Sequence, residues 1–191
     1  MTMHTPLPPD TDELDSDPSD ESSPACILVF NASDPSGAGG LTGDIATIAS
    51  VGGHAIAVVT GAYARDTAQI FDHFCLDDEA VAEQARAVLE DLPVQAIKVG
   101  FVGSTENIST IAEIATDYDD VPVIAYMPNL SWWREELIDE YLDAFRELLL
   151  PQTSVLVGNP STLWRWLLPA WSSDRSLTAR AIARAAPELG V

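Results

Sequence analysis

The sequence has little positive charge. Nine of its 191 residues are Lys or Arg, against 30 Asp or Glu, and the formal net charge is −21. Lys98 is the single lysine. Because nucleic acid phosphates and anionic membrane surfaces repel such a chain, we expect neither as a partner.

Cysteine is also scarce, and long apolar runs are missing. Cys26 and Cys75 stand alone without CxxC spacing, so the sequence indicates neither a zinc site nor a disulfide framework. There is no basic and apolar leader, and no apolar run approaches the roughly 18 residues of a membrane span. We expect a cytoplasmic protein with one main globular domain.

Residues 1–24 differ from the rest of the chain. They are rich in proline, carry seven acidic residues and contain no Lys or Arg. A segment of this kind cannot bury enough apolar surface to offset the entropy lost on ordering. We predict a disordered acidic tail here and an α/β domain over residues 25–191.

Short apolar runs then alternate with helical patterns, which is typical of βα units around a mostly parallel sheet. The pattern predicts five strands, at residues 26–30, 54–60, 94–101, 121–126 and 153–157. Four helices are predicted after these strands begin. One begins near Leu41 and one at Glu135, and the two between them follow capping residues, Asp77 or Asp78 for the first and Ser104 for the second. The helix from Glu135 should run to residue 150 as the longest helix, and two further helices are predicted, one at residues 163–167 and one at 177–186.

A polar, glycine-rich loop at residues 31–40, NASDPSGAGG, lies between the first strand and the first helix. Small residues let the backbone approach a ligand, and the N–H groups of the next helix face the same edge of the sheet. The loop matches neither GxGxxG nor a GKS/GKT motif. It suits a small ligand, and a tight turn is the alternative interpretation.

Several segments resemble one family in the same order along the chain. Residues 33–47, SDPSGAGGLTGDIAT, resemble SDPSGGAGIQADLKT of the hydroxymethylpyrimidine and phosphomethylpyrimidine kinases. Residues 51–60 are similar to that family's second strand, AIKVG at 96–100 to its AIKIG segment, and residues 147–159 to its ELLLP…TPN segment.

The resemblance implies a three-layer ribokinase-like fold with a mostly parallel central sheet, and ATP-dependent, Mg²⁺-assisted phosphorylation of a pyrimidine hydroxymethyl group in thiamin biosynthesis. It is compatible with a homodimer. The family's later Gly-Thr-Gly-Cys-type turn, with its anion hole and catalytic base, has no counterpart in the sequence. We therefore expect an incomplete, N-terminal portion of the fold without an assignable catalytic residue.

The resemblance also implies roles for particular residues. Gly39 would line the pyrimidine, and Asp44 would accept a hydrogen bond from its exocyclic amine. A first-turn carboxylate interacting with the helix dipole is the alternative for Asp44. Asp34, which precedes a proline, could simply form an Asx turn.

Departures from the family pattern are equally informative. Arg65 replaces the glutamine that would read the pyrimidine edge, and Phe101 replaces a pocket methionine. Residues 124–129, IAYMPN, stand where the family has VLDPVM, so Tyr126 or one of its neighbours replaces an acidic residue. Asn159, expected on the nucleotide and magnesium side, is followed by Thr162 instead of a glutamate. A neutral hydroxyl cannot replace that carboxylate near a hydrated Mg²⁺.

Other conspicuous residues favour structural roles. His54 and His73 have no ligand partners at suitable spacing, and Lys98 is expected at the core edge with its stem buried. The five tryptophans are expected in the core or an interface, with an aromatic substrate platform as the alternative.

Three functional hypotheses follow. The first is a hydroxymethylpyrimidine or phosphomethylpyrimidine kinase, truncated or divergent. The second is a catalytically inactive binding or regulatory protein of the same family. The third is a related kinase acting on a pyridoxal-type ring.

Overall fold

A computed structural model describes residues 23–167. Most of the predicted acidic tail, the predicted helix at 177–186 and Trp171 lie outside these residues. The strands are β1 (Cys26–Ser33), β2 (His54–Arg65), β3 (Ile70–Cys75), β4 (Ala96–Val99), β5 (Val123–Met127) and β6 (Val155–Gly158). The helices are α1 (Gly40–Ser50), α2 (Asp78–Leu89), α3 (Thr105–Asp117), α4 (Glu135–Ala144) and α5 (Pro160–Leu167).

The six strands form one sheet in the order β3-β2-β1-β4-β5-β6. All neighbouring pairs are parallel except β2 and β3, which are antiparallel. β2, the next strand along the chain, lies on one side of β1, and β4 lies on the other side. This reversal of strand order opens a crevice at the carboxyl ends of β1 and β4, the place where open α/β sheets bind ligands.

Helices cover both faces of the sheet, which confirms the predicted three-layer α/β architecture. Leu28 and Phe30 of β1 join the main core with α2, α3 and α4. Successive strand residues point to opposite faces, so Lys98, between the buried Ile97 and Val99, faces the side on which α1 packs.

The predicted caps are correct. The Asp77 carboxylate accepts a hydrogen bond from Ala80 N at 2.8 Å and begins α2. The Ser104 hydroxyl accepts one from Asn107 N at 3.1 Å and begins α3. Each satisfies an N–H group that a helix start leaves unpaired.

The prediction of five strands is wrong, because β2 runs on to Arg65 and turns back as β3. Arg65 pairs with Ile70, and Gly61 pairs with Cys75. The residues of β3 lack an alternation of apolar and polar side chains, and Phe71 and Phe74 on this edge strand are exposed. The pairing with β2 defines β3.

The predicted longest helix, from residue 135 to 150, is also wrong in detail. Regular α-helix ends at Ala144, and a π-helical turn (Phe145–Leu149) and a 3-10 turn (Leu150–Gln152) follow. Pro151 has no N–H to donate to the carbonyl four residues earlier, so the α-helical ladder cannot continue. Among the described residues, no helix is long and apolar enough to cross a membrane.

Candidate functional site

The glycine-rich loop joins β1 to α1 and is held by Asp34. Asp34 Oδ1 accepts hydrogen bonds from Ser36 N at 2.8 Å and Ser36 Oγ at 2.7 Å. Gly37 N donates to the Asp34 carbonyl at 3.2 Å. The expected Asx turn is therefore present, and it fixes the loop that presents Gly39 to the crevice.

Gly40 is required where the loop enters the helix. Its φ is +56°, in the left-handed region. A Cβ atom there would lie 2.4 Å from the Ala32 carbonyl oxygen and 2.9 Å from Asp34 Cβ. Only glycine allows this close approach of the loop to the end of β1.

Asp44 lies at the crevice between β1 and β4 with two polar partners. Lys98 Nζ is 2.6 Å from Asp44 Oδ2, and Asn31 Nδ2 donates to the same oxygen at 2.8 Å. The Asp44 side chain is 20% exposed. Asp44 Oδ1 receives no hydrogen bond from residues 23–167, so this oxygen is available to a ligand.

Asp44 is the fifth residue of α1, and the first turn of that helix contains no acidic residue. The alternative interpretation of Asp44 as a first-turn carboxylate is therefore wrong. Lys98 has the partly buried stem expected of it, but its ammonium group belongs to the site.

Arg65, at the end of β2, forms a second ion pair with the loop. Its Nη1 donates to Asp34 Oδ2 at 3.1 Å, and its Nε donates to the Asp66 carbonyl at 2.9 Å. The Asp34 side chain is fully buried and that of Arg65 is 15% exposed. The pair ties the β2–β3 hairpin to the glycine-rich loop.

Aromatic side chains line and support the crevice. Tyr63, Tyr126 and Trp132 line it. Phe101 is 2% exposed and lies behind them, with ring centroids 6.1 Å from Tyr63 and 5.3 Å from Trp132. Burial raises the pKa of the Tyr63 hydroxyl well above its usual range, so this phenol stays neutral.

The crevice consists of two adjoining clefts of about 640 Å³ and 310 Å³. Both are lined by Gly39, Gly40 and Tyr126. Arg65 lines the larger cleft, whereas Asp44 and Lys98 line the smaller. The predicted site residues Gly39, Asp44 and Arg65 thus lie around one crevice, and Phe101 supports its wall from the core.

Asn159 lies apart from this crevice. Its Oδ1 accepts hydrogen bonds from Ser161 N at 3.0 Å and Ser161 Oγ at 2.6 Å, which caps α5. It is exposed and lines neither cleft. Thr162, in place of the expected glutamate, is buried.

Residues 23–167 do not assemble a set of metal ligands by themselves. Over residues 23–167 there is no group of three or more His, Cys, Asp or Glu side chains that could hold a metal. Asn159 uses its side-chain oxygen within α5, and Thr162 supplies no charge.

His73 is structural in this arrangement. Its ring packs edge-on against Tyr63 and Phe101, and its Nε2 is buried without a hydrogen-bond partner among the described residues. Burial lowers the pKa of His73 to about 4, so the imidazole is neutral near pH 7. His54 is exposed at the beginning of β2.

The tryptophans that the structure describes support the core prediction in part. Trp132, Trp133 and Trp166 pack against the main core, and Trp132 also lines the larger cleft.

Sequence reasoning did not assign Asn31, Tyr63 or Lys98 to the site. Their positions at the carboxyl ends of β1, β2 and β4 are the signal that could have found them.

Comparison with known proteins agrees with this geometry. Residues 34–184 match the phosphomethylpyrimidine kinase family. The chain is 31% identical over 137 residues to a hydroxymethylpyrimidine/phosphomethylpyrimidine kinase of Streptomyces coelicolor, covering 71% of this chain and 51% of that protein. It is 26% identical over 133 residues to the enzyme of that name from Escherichia coli, covering 69% and 50%. The chain thus spans about half the length of these curated relatives.

Solved structures share the fold. A phosphomethylpyrimidine kinase from Clostridium difficile superposes with a TM-score of 0.76 at 22% identity, covering 86% of this chain and 73% of that one. A pyridoxal kinase from Staphylococcus aureus in complex with AMP-PCP and pyridoxal gives 0.74 at 19%, covering 89% and 60%. With the family match over residues 34–184, these similarities show that the chain belongs to the phosphomethylpyrimidine kinase family, with its ribokinase-like fold.

Proposed function

We propose that this chain binds 4-amino-5-hydroxymethyl-2-methylpyrimidine, or its monophosphate, and forms the substrate side of a kinase site in thiamin biosynthesis. The observation that carries the proposal is the group of Asn31, Asp44 and Lys98 at the switch point between β1 and β4. Family membership supports the substrate class, and the open oxygen of Asp44 supports the mode of binding.

The chemistry of the crevice suits an aminopyrimidine. Asp44 Oδ1 would accept a hydrogen bond from the exocyclic amine, while Lys98 and Asn31 hold Oδ2 in place. The ring of Tyr126, 39% exposed, offers a flat apolar surface beside Gly39 and Gly40, where the backbone has no side chain to exclude a ring. Planar stacking and one charged hydrogen bond together orient a small ring.

The described residues contribute binding and orientation. The Asp34–Arg65 ion pair holds the glycine-rich loop at the crevice, and Tyr63 and Trp132 form part of the wall of its larger cleft. ATP, when bound, would supply the phosphoryl group to the hydroxymethyl oxygen. We assign substrate binding and orientation to residues 23–167, and no step of the transfer itself.

A second function is favoured by one specific observation. The Asn159 side chain caps α5, and Thr162 stands in place of the family's glutamate. The expected magnesium side therefore lacks the negative charge of that glutamate. A family member that binds the pyrimidine without phosphorylating it would have this combination. A pyridoxal-type ring is the third alternative, and pyridoxal kinases share the fold, but they match no better than phosphomethylpyrimidine kinases.

Product formation separates the first two functions. The purified chain would be incubated with the aminopyrimidine, ATP and Mg²⁺, and phosphorylated pyrimidine measured by mass spectrometry, with D44N as the matched control. Product that depends on Asp44 supports a kinase. Calorimetric binding without product supports a binding protein. The cytoplasmic location and the homodimer stay predictions.

A further inference from the structure

Asn31 holds a fixed amide beside Asp44. It lies near the carboxyl end of β1 and is 6% exposed. β1 and β2 shift register between Asn31 and Ala32, and such irregularities re-aim side chains beside functional sites. Ala32 N donates to Asn31 Oδ1 at 2.9 Å, and Asn31 Nδ2 donates to Asp44 Oδ2 at 2.8 Å. Turning the amide over would set donor against donor and acceptor against acceptor, so its orientation is determined.

Gly100, just after β4, supplies the space for this amide. A Cβ atom there would lie 2.5 Å from Asn31 Cγ and Nδ2 and 2.6 Å from Asn31 Oδ1. The φ of Gly100 is not positive, so it is the space and not the backbone conformation that requires glycine. Gly100 N donates to the Phe30 carbonyl at 2.8 Å, which ties the residue to β1. The amide is therefore confined between β1 and the end of β4.

Lys98 and Asn31 contribute differently to Asp44. Lys98 Nζ, 2.6 Å from Asp44 Oδ2, is a point charge on a flexible stem with freely turning donors. The Asn31 amide is neutral, planar and bonded at both ends. Lys98 thus supplies charge to the carboxylate, and Asn31 supplies direction. Asp44 lines the smaller cleft, and its Oδ1 receives no hydrogen bond from residues 23–167.

We propose, resting on the function above, that Asn31 is a positioning residue that sets the preference of the crevice for a ring with an exocyclic N–H donor. It acts through Asp44, because fixing Oδ2 also fixes the direction in which Oδ1 accepts. An ionised carboxylate accepts hydrogen bonds and donates none, so the fixed oxygen rewards an amine. Without the amide, Asp44 follows the flexible Lys98, and the hydrogen bond to the amine loses its alignment.

Two rings measure this preference. One is 4-amino-5-hydroxymethyl-2-methylpyrimidine, and the other is the same ring with hydrogen in place of the 4-amino group. Calorimetry on the full chain gives the dissociation constant of each, and the ratio of the second to the first is the amine factor. In the wild type the amine factor should be about tenfold or more, as expected for a hydrogen bond to a charged acceptor.

N31D keeps the shape of the side chain and its acceptor for Ala32 N, but it has no donor for Asp44. The amine factor should fall below about threefold in this variant. If N31D fails to fold, N31L serves instead, because leucine is close to asparagine in shape, carries no charge and has no donor. G100A leaves Asn31 in place and displaces its amide, so it should lower the amine factor as well.

Q84E is the matched control. Gln84 Oε1 accepts from Val59 N at 3.0 Å and its Nε2 donates to the Val59 carbonyl at 3.1 Å, so this amide joins α2 to β2. Gln84 lines neither cleft. Its replacement also removes an amide donor, so it should lower the free energy of unfolding and leave the amine factor at the wild-type value. A merely structural role of Asn31 would give the same result.

The outcomes are distinct. An amine factor that is high in wild type and Q84E and low in N31D or N31L supports the proposal. An amine factor that N31D or N31L retains, including equal weakening of both rings, overturns it while the proposed function stands. Equal binding of the two rings by the wild type overturns the proposal together with the hydrogen bond from the amine to Asp44. A folded wild-type chain that binds neither ring overturns the proposed function and this proposal.

Discussion

Lys98 Nζ lies 2.6 Å from Asp44 Oδ2, although the two residues are 54 positions apart in the sequence. The fold brings them together because β4 lies beside β1, and α1 returns over the same face of the sheet. The only lysine of a chain with net charge −21 thus neutralises one carboxylate at the switch point. Asn31 donates to the same oxygen, which leaves Asp44 Oδ1 without a hydrogen bond from residues 23–167.

Replacing Lys98 should weaken pyrimidine binding. K98M removes one of the two groups that fix Asp44, so we expect an affinity about tenfold lower by calorimetry. K98R keeps the charge and should stay within about threefold of wild type. Because the pair is partly exposed, the free energy of unfolding should fall by about 1 kcal/mol or less in K98M. Unchanged or tighter binding in K98M would show that Lys98 does not position Asp44.

Gly40 and Gly43 form a matched pair for testing the loop. In G40A the new Cβ would meet the Ala32 carbonyl at 2.4 Å with φ at +56°, so stability should fall by about 2 kcal/mol or more. In G43A the Cβ meets no atom within 4 Å and the residue is helical, so stability should rise by about 0.5–1 kcal/mol. Urea denaturation measures both changes. Equal effects in the two variants would contradict the geometry of the turn.

Substitutions of Asp34 and Arg65 should have strongly non-additive effects on the free energy of unfolding. R65A leaves the fully buried Asp34 without its partner and should lower the free energy of unfolding by about 3–5 kcal/mol. D34N/R65Q should lose less than half as much, since no unpaired charge is left. Denaturation of D34N, R65Q and D34N/R65Q beside wild type gives the coupling energy. Additive losses would mean that the two residues do not interact.

His73 should make stability depend on pH in the mildly acidic range. Its pKa is about 4 in the folded chain and about 6.5 when unfolded, so the unfolded state binds the extra proton between these values. Stability should therefore be full above about pH 6.5 and fall toward pH 5, with a slope of at most about 1.4 kcal/mol per unit.

Two histidine variants check this dependence by urea denaturation at several pH values. H73F keeps an aromatic ring against Tyr63 and removes the titrating group, so the slope between pH 6.5 and 5 should flatten. H54Q changes an exposed histidine and should keep the wild-type slope. A slope that persists in H73F would assign the effect to other groups.

Much of the fold is predictable from the sequence because it is locally encoded. Apolar runs alternate with helical patterns, and the caps at Asp77 and Ser104 depend on residues three positions away. The strand β3 was missed because its pairing with β2 is not local and Phe71 and Phe74 leave no alternation. Pro151 predicts where the helical stretch ends, but the change of helical pitch after Ala144 has no local signal in the sequence.

The glycine-rich loop of the candidate site is predictable from the sequence, but the ion pairs around it are less so. Gly39 and Asp44 follow from the resemblance and the loop. The partners of Asp44 and Arg65 come from other strands, and only the strand order places them. Lys98 was assigned to the core edge because it lies in an apolar strand. Its neighbours do face the core, but the alternation of the strand turns Lys98 to the opposite face.

The most direct measurement is isothermal calorimetry of the purified chain with 4-amino-5-hydroxymethyl-2-methylpyrimidine, beside D44N. Wild type should bind, and D44N, which keeps the shape and removes the charge, should bind about tenfold or more weakly because a hydrogen bond to a charged acceptor is lost. Equal affinity of the two proteins, or no binding by a folded wild-type chain, would contradict the assignment of Asp44 and its crevice as the pyrimidine site.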